Sequence, residues 1–212
     1  VALIAMMAAC GSSEKKSDYI DKMSEEHEGD QPVQNEAADL QQDGQVSGQQ
    51  VTYATVNGQE VNGYLAKPEN ADSNTPGIIV IHEWWGLNDN IRMMTDKLAG
   101  EGYTALAVDM YDGKVAESPD SAGTYARSVN EDEAIDNLTQ AYGYLNEQQG
   151  AENIGVIGWC FGGAWSLQTA LAHPQKIDAT VIYYGRLVTE AEQLQKLQMP
   201  VLGIFGAEDE GI

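Results

Sequence analysis

The sequence predicts an α/β fold, a mainly parallel sheet covered by helices. Three observations carry that expectation. Short, continuous apolar runs recur along the chain at "GIIVIHE" (77–83), "YTALAVD" (103–109), "NIGVIGW" (153–159), "ATVIYYG" (179–185) and "VLGIFG" (201–206). Runs of this length and composition suit strands buried on both faces. Between them lie stretches with helical spacing, and an alternation of strand and helix specifies a parallel sheet with helical crossovers. No internal repeat competes with this reading.

The elements follow in chain order. "VTYATV" (51–56) and "VNGYLA" (61–66) flank Asn57-Gly58, a hairpin signal, because both residues tolerate the positive φ that a tight two-residue turn requires. After "GIIVIHE", residues 89–100 read as a helix with Asp89 as candidate cap and Ile91, Met94 and Leu98 on one face. "YTALAVD" is the next buried strand, and 130–148 a long helix of mixed polarity. The strand 153–158 then runs directly into residues 161–172, which have helical spacing. The last two apolar runs complete the strands.

Upstream of residue 51 the chain has a different character. Residues 11–50 are rich in Glu, Asp, Gln, Ser and Gly and poor in large apolar residues; too little surface can be buried to offset ordering entropy, which predicts a disordered acidic tether. Before it, "VALIAMMAAC" has the apolar character of a secretory signal core and is too short to span a bilayer. Ala8-Ala9-Cys10 resembles the lipobox of bacterial lipoproteins, with Met7 departing from the usual Leu. The resemblance implies an exported protein of the bacterial cell envelope, lipidated at Cys10, and Gly11 in the next position implies outer-membrane retention. An ordinary signal peptide giving a periplasmic protein is the alternative. The expected organisation is thus a partial signal segment over 1–10, a tether over 11–50 and an α/β domain over 51–212.

Charge narrows the function classes. Eleven Lys and Arg stand against 33 Asp and Glu, a formal net charge of −22, of which the tether's ten acids and three bases carry −7. Such a chain repels phosphate backbones and anionic head groups, so nucleic acid is not an expected partner and a membrane is one only through the lipid at Cys10. Two cysteines, Cys10 and Cys160, offer no disulfide framework, and the three histidines (His27, His82, His173) are scattered without metal-ligand spacing. No metal or cofactor is expected.

The chemistry concentrates at "GWCFG" (158–162), which fits G-x-S-x-G with Cys in place of Ser. That pattern is informative where a strand precedes it and a helix follows, and both are expected here. In such an elbow the nucleophile takes a strained backbone conformation, and glycines on either side let strand and helix approach without Cβ clashes. The sulfur then lies at a helix N-terminus, where the dipole favours a thiolate and backbone N–H groups can receive an oxyanion. A buried packing cysteine would not call for Gly158, Gly162 and Gly163 around it.

With these residues in view the chain resembles the dienelactone hydrolase family, a branch of the α/β-hydrolases that carries cysteine in this elbow. "GIIVIHEWWG" (77–86) is similar to the family's strand and loop ending in His-Glu-x-x-Gly, "AVDMYD" (107–112) to its following strand and turn, and "PVLGIFGAEDEGI" (200–212) to the strand whose exit bears the acid. The resemblance covers about residues 51–212 and implies the α/β-hydrolase fold and a small-molecule ester or lactone as substrate. It implies Cys160 as nucleophile forming a thioester, with the backbone N–H groups of Phe161 and Trp84 as the oxyanion hole. It implies that Glu83 contacts the thiol in the resting enzyme, disfavouring a free thiolate by like-charge repulsion. His82, next to it, is expected to be a structural hydrogen-bonder. Asp209 matches the acid that orients the catalytic histidine, at the sheet's C-terminal edge where active sites of open α/β sheets gather.

The histidine itself has no match. Chain order in this fold runs nucleophile, acid, histidine. His173 reads as a helix C-terminal residue before Pro174 and His27 falls in the tether. The expectation is a piece of a longer protein whose base lies beyond Ile212, the piece alone having little turnover. Arg92, Arg127 and Arg186 fall in no motif that makes one of them a carboxylate clamp. Trp84, Trp85, Trp159 and Trp165 suggest an aromatic pocket wall, or core packing. Two function classes remain open: a cysteine-dependent carboxylic-ester hydrolase, and a catalytically idle envelope lipoprotein that uses the same fold as a binding module.

Overall fold

The computed structural model describes residues 10–32 and 46–208. Seven strands form one sheet in the order β1-β2-β4-β3-β5-β6-β7. β1 (Val46–Val56) and β2 (Gln59–Pro68) form the expected hairpin, with Asn57 at φ 50° and Gly58 at φ 75°. β2 joins β4 (Thr104–Val108) antiparallel, and from there the sheet is parallel through β3 (Gly77–Ile81), β5 (Ile154–Trp159), β6 (Ala179–Tyr183) and β7 (Val201–Ile204). The predicted α/β class, with a mainly parallel sheet, is therefore the observed one.

β3 and β4 are buried at every residue, as continuous apolar runs require when both faces are covered. Their side chains divide by the two-residue period of a strand. Ile79, Ile81, Leu106 and Val108 enter one core with Leu138, Leu145 and Trp165. Ile78, Val80, Ala105 and Ala107 enter a second, on the opposite face, with Leu87 and Ile91. The first core lies under α4 (Glu131–Gly143) and α5 (Phe161–Ala172), the second under α2 (Asp89–Gly100).

Several local expectations are corrected. The cap of α2 is Asn88, whose Oδ1 accepts the Ile91 N–H at 3.1 Å; Asp89 sits inside the first turn and pairs with Arg92 at 2.7 Å. On that helix Ile91 is buried with Thr95 and Ala99, while Met94 and Leu98 are only half-buried. The long helix expected over 130–148 is α4, capped by Asn130, running into a π-helical turn over Tyr144–Gln148. An unanticipated helix, α3 (Pro119–Ser128), starts with a reciprocal Ser118–Ser121 capping box and Pro119 in its first turn. A short helix, α6 (Ala191–Leu194), precedes β7, whose four residues are all exposed.

The expected disordered tether over 11–50 also differs at both ends. Residues Cys10–Glu26 form helix α1, and β1 already begins at Val46. α1 owes its place to tertiary contacts more than to composition. Ile20 and Met23 are buried, and Asp21 pairs with Arg127 of α3 at 2.8 Å. Residues 1–9 and the Cys10 side chain, which carry the signal and lipobox expectation, lie outside the described residues. Among the described residues no helix is long and apolar enough to cross a membrane.

Candidate active site

Cys160 stands at the junction of β5 and α5 with φ 55° and ψ −116°, a backbone conformation that non-glycine residues rarely adopt. Its N–H donates to the Tyr183 carbonyl at 3.0 Å and its carbonyl accepts from the Ala164 N–H at 3.2 Å, so the strained turn is held from both sides. The glycines of the motif are sterically required. A Cβ on Gly158 would run into the Gly162 carbonyl; one on Gly162 would strike the Ile81 carbonyl and lie 2.6 Å from that of His82. A Cβ on Gly163 would lie 2.7 Å from the Tyr183 carbonyl. β3, β5 and β6 thus crowd onto the first turn of α5 closely enough to exclude side chains there. The Phe161 N–H opens that turn, among the helix N–H groups that have no intrahelical acceptor.

The loop after β3 brings the second set of residues. His82 is fully buried, and the Met110 N–H donates to its Nε2 at 3.1 Å. A backbone N–H can only donate, so Nε2 is the acceptor and Nδ1 carries the proton, which it donates to the Glu83 carbonyl at 2.5 Å. Burial pushes the imidazole pKa down, further favouring this neutral tautomer. The ring stacks on Phe161 with centroids 5.7 Å apart and meets the edge of Tyr111 at 4.7 Å. Both ring nitrogens are committed, so His82 positions the loop rather than exchanging protons.

Its partner Met110 lies on the turn after β4. There the Asp109 carboxylate accepts the Tyr111 N–H at 2.8 Å and also the Gly113 N–H, and Asn137 donates to the Asp109 carbonyl at 2.8 Å. The "AVDMYD" stretch therefore acts as the clamp that fixes His82, and through it Glu83 and Trp84. The loop closes at Gly86, at φ 94°, where a Cβ would press on the Lys114 carbonyl, and the Ala116 N–H donates to Trp85 O at 2.8 Å.

Cys160, Glu83 and Trp84 come together around a cavity of about 270 Å³, with Trp85 and Tyr184 completing that side of its lining. Cys160 and Trp84 are only 6% and 4% exposed and share a small apolar cluster with Ala116 and Ala122. Burial pushes the Glu83 carboxyl up, and the Tyr184 hydroxyl, donating to Glu83 Oε1 at 3.4 Å, partly opposes this. The Tyr184 phenol is itself pushed up, by burial first and then by the charges of Glu83 and Cys160.

The remaining expectations have mixed outcomes. Asp209 lies outside the described residues. His173 caps the end of α5 and hydrogen-bonds Thr139 at 2.7 Å, remote from the cavity. Of the four tryptophans only Trp84 and Trp85 line the cavity; Trp165 is in the main core and Trp159 stacks on Tyr183 on the opposite face. His27, placed in the tether by the sequence, lines the cavity with Met23 and Glu26. Tyr184 was missed although a signal existed: it follows the strand beside the elbow strand, at the sheet edge where α/β sites form. Nothing in the polar stretch around His27 announces its position.

Residues 61–212 match the dienelactone hydrolase family. The chain belongs to that family. Among curated relatives it is 36% identical over 162 residues to "Protein usf" of Aquifex pyrophilus, a match covering 73% of this chain and 69% of that protein. It is 33% identical over 162 residues, with the same coverage, to a protein of Aquifex aeolicus named "Putative carboxymethylenebutenolidase". A crystal structure described as "Putative Dienelactone Hydrolase" from Klebsiella pneumoniae superimposes with a TM-score of 0.70 at 26% identity, covering 79% of this chain and 75% of that one. The dienelactone hydrolase match thus makes the fold an α/β-hydrolase fold and the protein a member of a hydrolase family.

Proposed function

We propose that this dienelactone hydrolase family member cleaves carboxylic esters or lactones of small molecules with Cys160 as nucleophile. The observation that carries the reading is the strained backbone of Cys160 at a strand-to-helix turn, φ 55° and ψ −116°, with its side chain on a cavity shared with Glu83 and Trp84. The sulfur adds to the substrate carbonyl carbon, and the displaced electron pair moves to oxygen, where the N–H groups of Phe161 and Trp84 receive it. Collapse of that adduct re-forms the carbonyl and expels the alcohol oxygen, leaving a thioester on Cys160 that water then hydrolyses. The thiol proton passes to a histidine later in the chain than Asp209 and from it to the leaving alcohol, with Asp209 orienting that histidine; this assignment rests on the family's chain order. Glu83 is assigned the resting contact with the thiol.

The test is hydrolysis of a chromogenic acetate ester by the full-length protein and by Cys160→Ala. The reading expects the variant to fall to the uncatalysed rate, and equal rates would remove Cys160 from the mechanism. Export to the cell envelope with a lipid on Cys10 is a separate proposal, resting on the "AAC" stretch. Labelled palmitate should enter the native protein in bacteria and not Cys10→Ser; equal labelling would refute it.

A further inference from the structure

The family match begins at residue 61, yet helix α1, well before it, supplies one side of the Cys160 cavity. Met23 is buried in the same cluster as Trp84 and Cys160. The His27 ring lies 5.2 Å from that of Trp84, and its Nδ1 is tied to Asp30 Oδ2 at 2.8 Å. The helix is seated rather than adjacent. Asp21 pairs with Arg127, and α1 approaches α3 so closely that a Cβ on Gly123 would lie 2.8 Å from Ser24 Oγ. This seating makes Glu26, like Glu83, one of the residues that line the cavity.

We propose that Met23, Glu26 and His27 form part of the wall of the Cys160 pocket, and that Glu26, lining it together with Glu83, makes the pocket select uncharged or cationic substrate groups and reject anionic ones. The inference rests on the catalytic reading above and adds the substrate class to it. None of the described residues lining the cavity is Lys or Arg. His27 cannot supply net positive charge either. Its ring is paired with the Asp30 carboxylate. An anionic substituent entering beside the sulfur would be desolvated next to like charge, whereas a neutral or ammonium-bearing one would not. Trp84 and Met23 offer the apolar surface such a group would cover.

The test needs no turnover. In the full-length protein, Cys160 is alkylated by neutral iodoacetamide and by anionic iodoacetate, and the modified Cys160 peptide is quantified by mass spectrometry, which separates it from Cys10. The thiolate fraction cancels in the ratio of the two rates, leaving the local electrostatic discrimination. The neutral-to-anionic ratio should exceed that of glutathione by about tenfold, and Glu26→Gln should lower it about threefold and Glu26→Lys about tenfold, the size of a partly screened charge near the sulfur. Glu26 is exposed on the end of α1, so these variants are expected to fold. A ratio equal to that of glutathione, or one unmoved by Glu26→Lys, overturns the proposal. The two readings fail separately. Cys160→Ala retaining full esterase activity would sink the catalytic role while leaving the alkylation ratio as measured.

Discussion

Gly162→Ala tests whether close approach of two backbones builds the elbow. A Cβ at Gly162 would meet the Ile81 carbonyl and, at 2.6 Å, the His82 carbonyl. Both are main-chain atoms at the exit of β3, so no side chain can swing aside. Reaching a normal contact requires α5 and the β3 exit to separate by roughly half an ångström or more. Inserting a methyl where nothing can yield costs about 1–3 kcal/mol. In a domain of this size that lowers Tm by about 3–10 °C. The same separation moves Cys160 and the Phe161 N–H away from Trp84, and misplacement near 1 Å costs about 100-fold in rate. Gly143→Ala is the control. It lies at φ −57° and ψ −40° at the end of α4 with nothing within 4 Å of a new Cβ, so it should be neutral or stabilise by about 0.5–1 kcal/mol. Thermal unfolding by circular dichroism and ester hydrolysis by full-length protein read both effects. A Gly162→Ala protein with unchanged Tm and unchanged kcat/KM would show that this backbone contact does not set the elbow.

Asn88→Ala should destabilise by about 1 kcal/mol in chemical denaturation through loss of the α2 cap, and Asp89→Ala by clearly less; the reverse order would restore Asp89 as the cap. Glu83→Gln removes a carboxylate from beside the sulfur, so iodoacetamide should modify Cys160 several-fold faster at neutral pH, and an unchanged rate would detach Glu83 from the thiol. Burial holds the His82 pKa below its unfolded value of about 6.5, so the unfolded chain binds the extra proton first; stability should be full above that pH and fall as pH drops below it, seen as a declining urea midpoint. Glu83 is shifted the other way. The native state keeps its proton more tightly, so its contribution falls as pH rises above the unfolded value of about 4.3, and Glu83→Gln should be more stable than the native protein at neutral pH.

The buried strands and the elbow were legible because each leaves a local signature: four consecutive apolar residues in each of β3 (78–81) and β4 (105–108), and glycines where three backbones meet. The cap of α2 was misplaced by one residue because Asn88, Asp89 and Asn90 are all competent caps, and only backbone geometry chooses among them. α1 was illegible for a different reason. Ile20 and Met23 are too sparse to announce a helix, and their burial depends on α3 and Trp84, distant in sequence. The cavity wall that Met23 forms with Glu26 and His27 is therefore a property of the fold alone. Tyr184 lay between these cases, on a strand exit that topology marks but composition does not.

The proposed mechanism passes an acyl group through the Cys160 sulfur. The full-length protein is mixed with excess acetate ester, quenched in acid during turnover, digested and analysed by mass spectrometry. One acetyl group is expected on the peptide containing Cys160, removed by hydroxylamine and absent from Cys160→Ala. Steady hydrolysis by Cys160→Ala at the native rate, with no acetyl group on that peptide in the native protein, would contradict it.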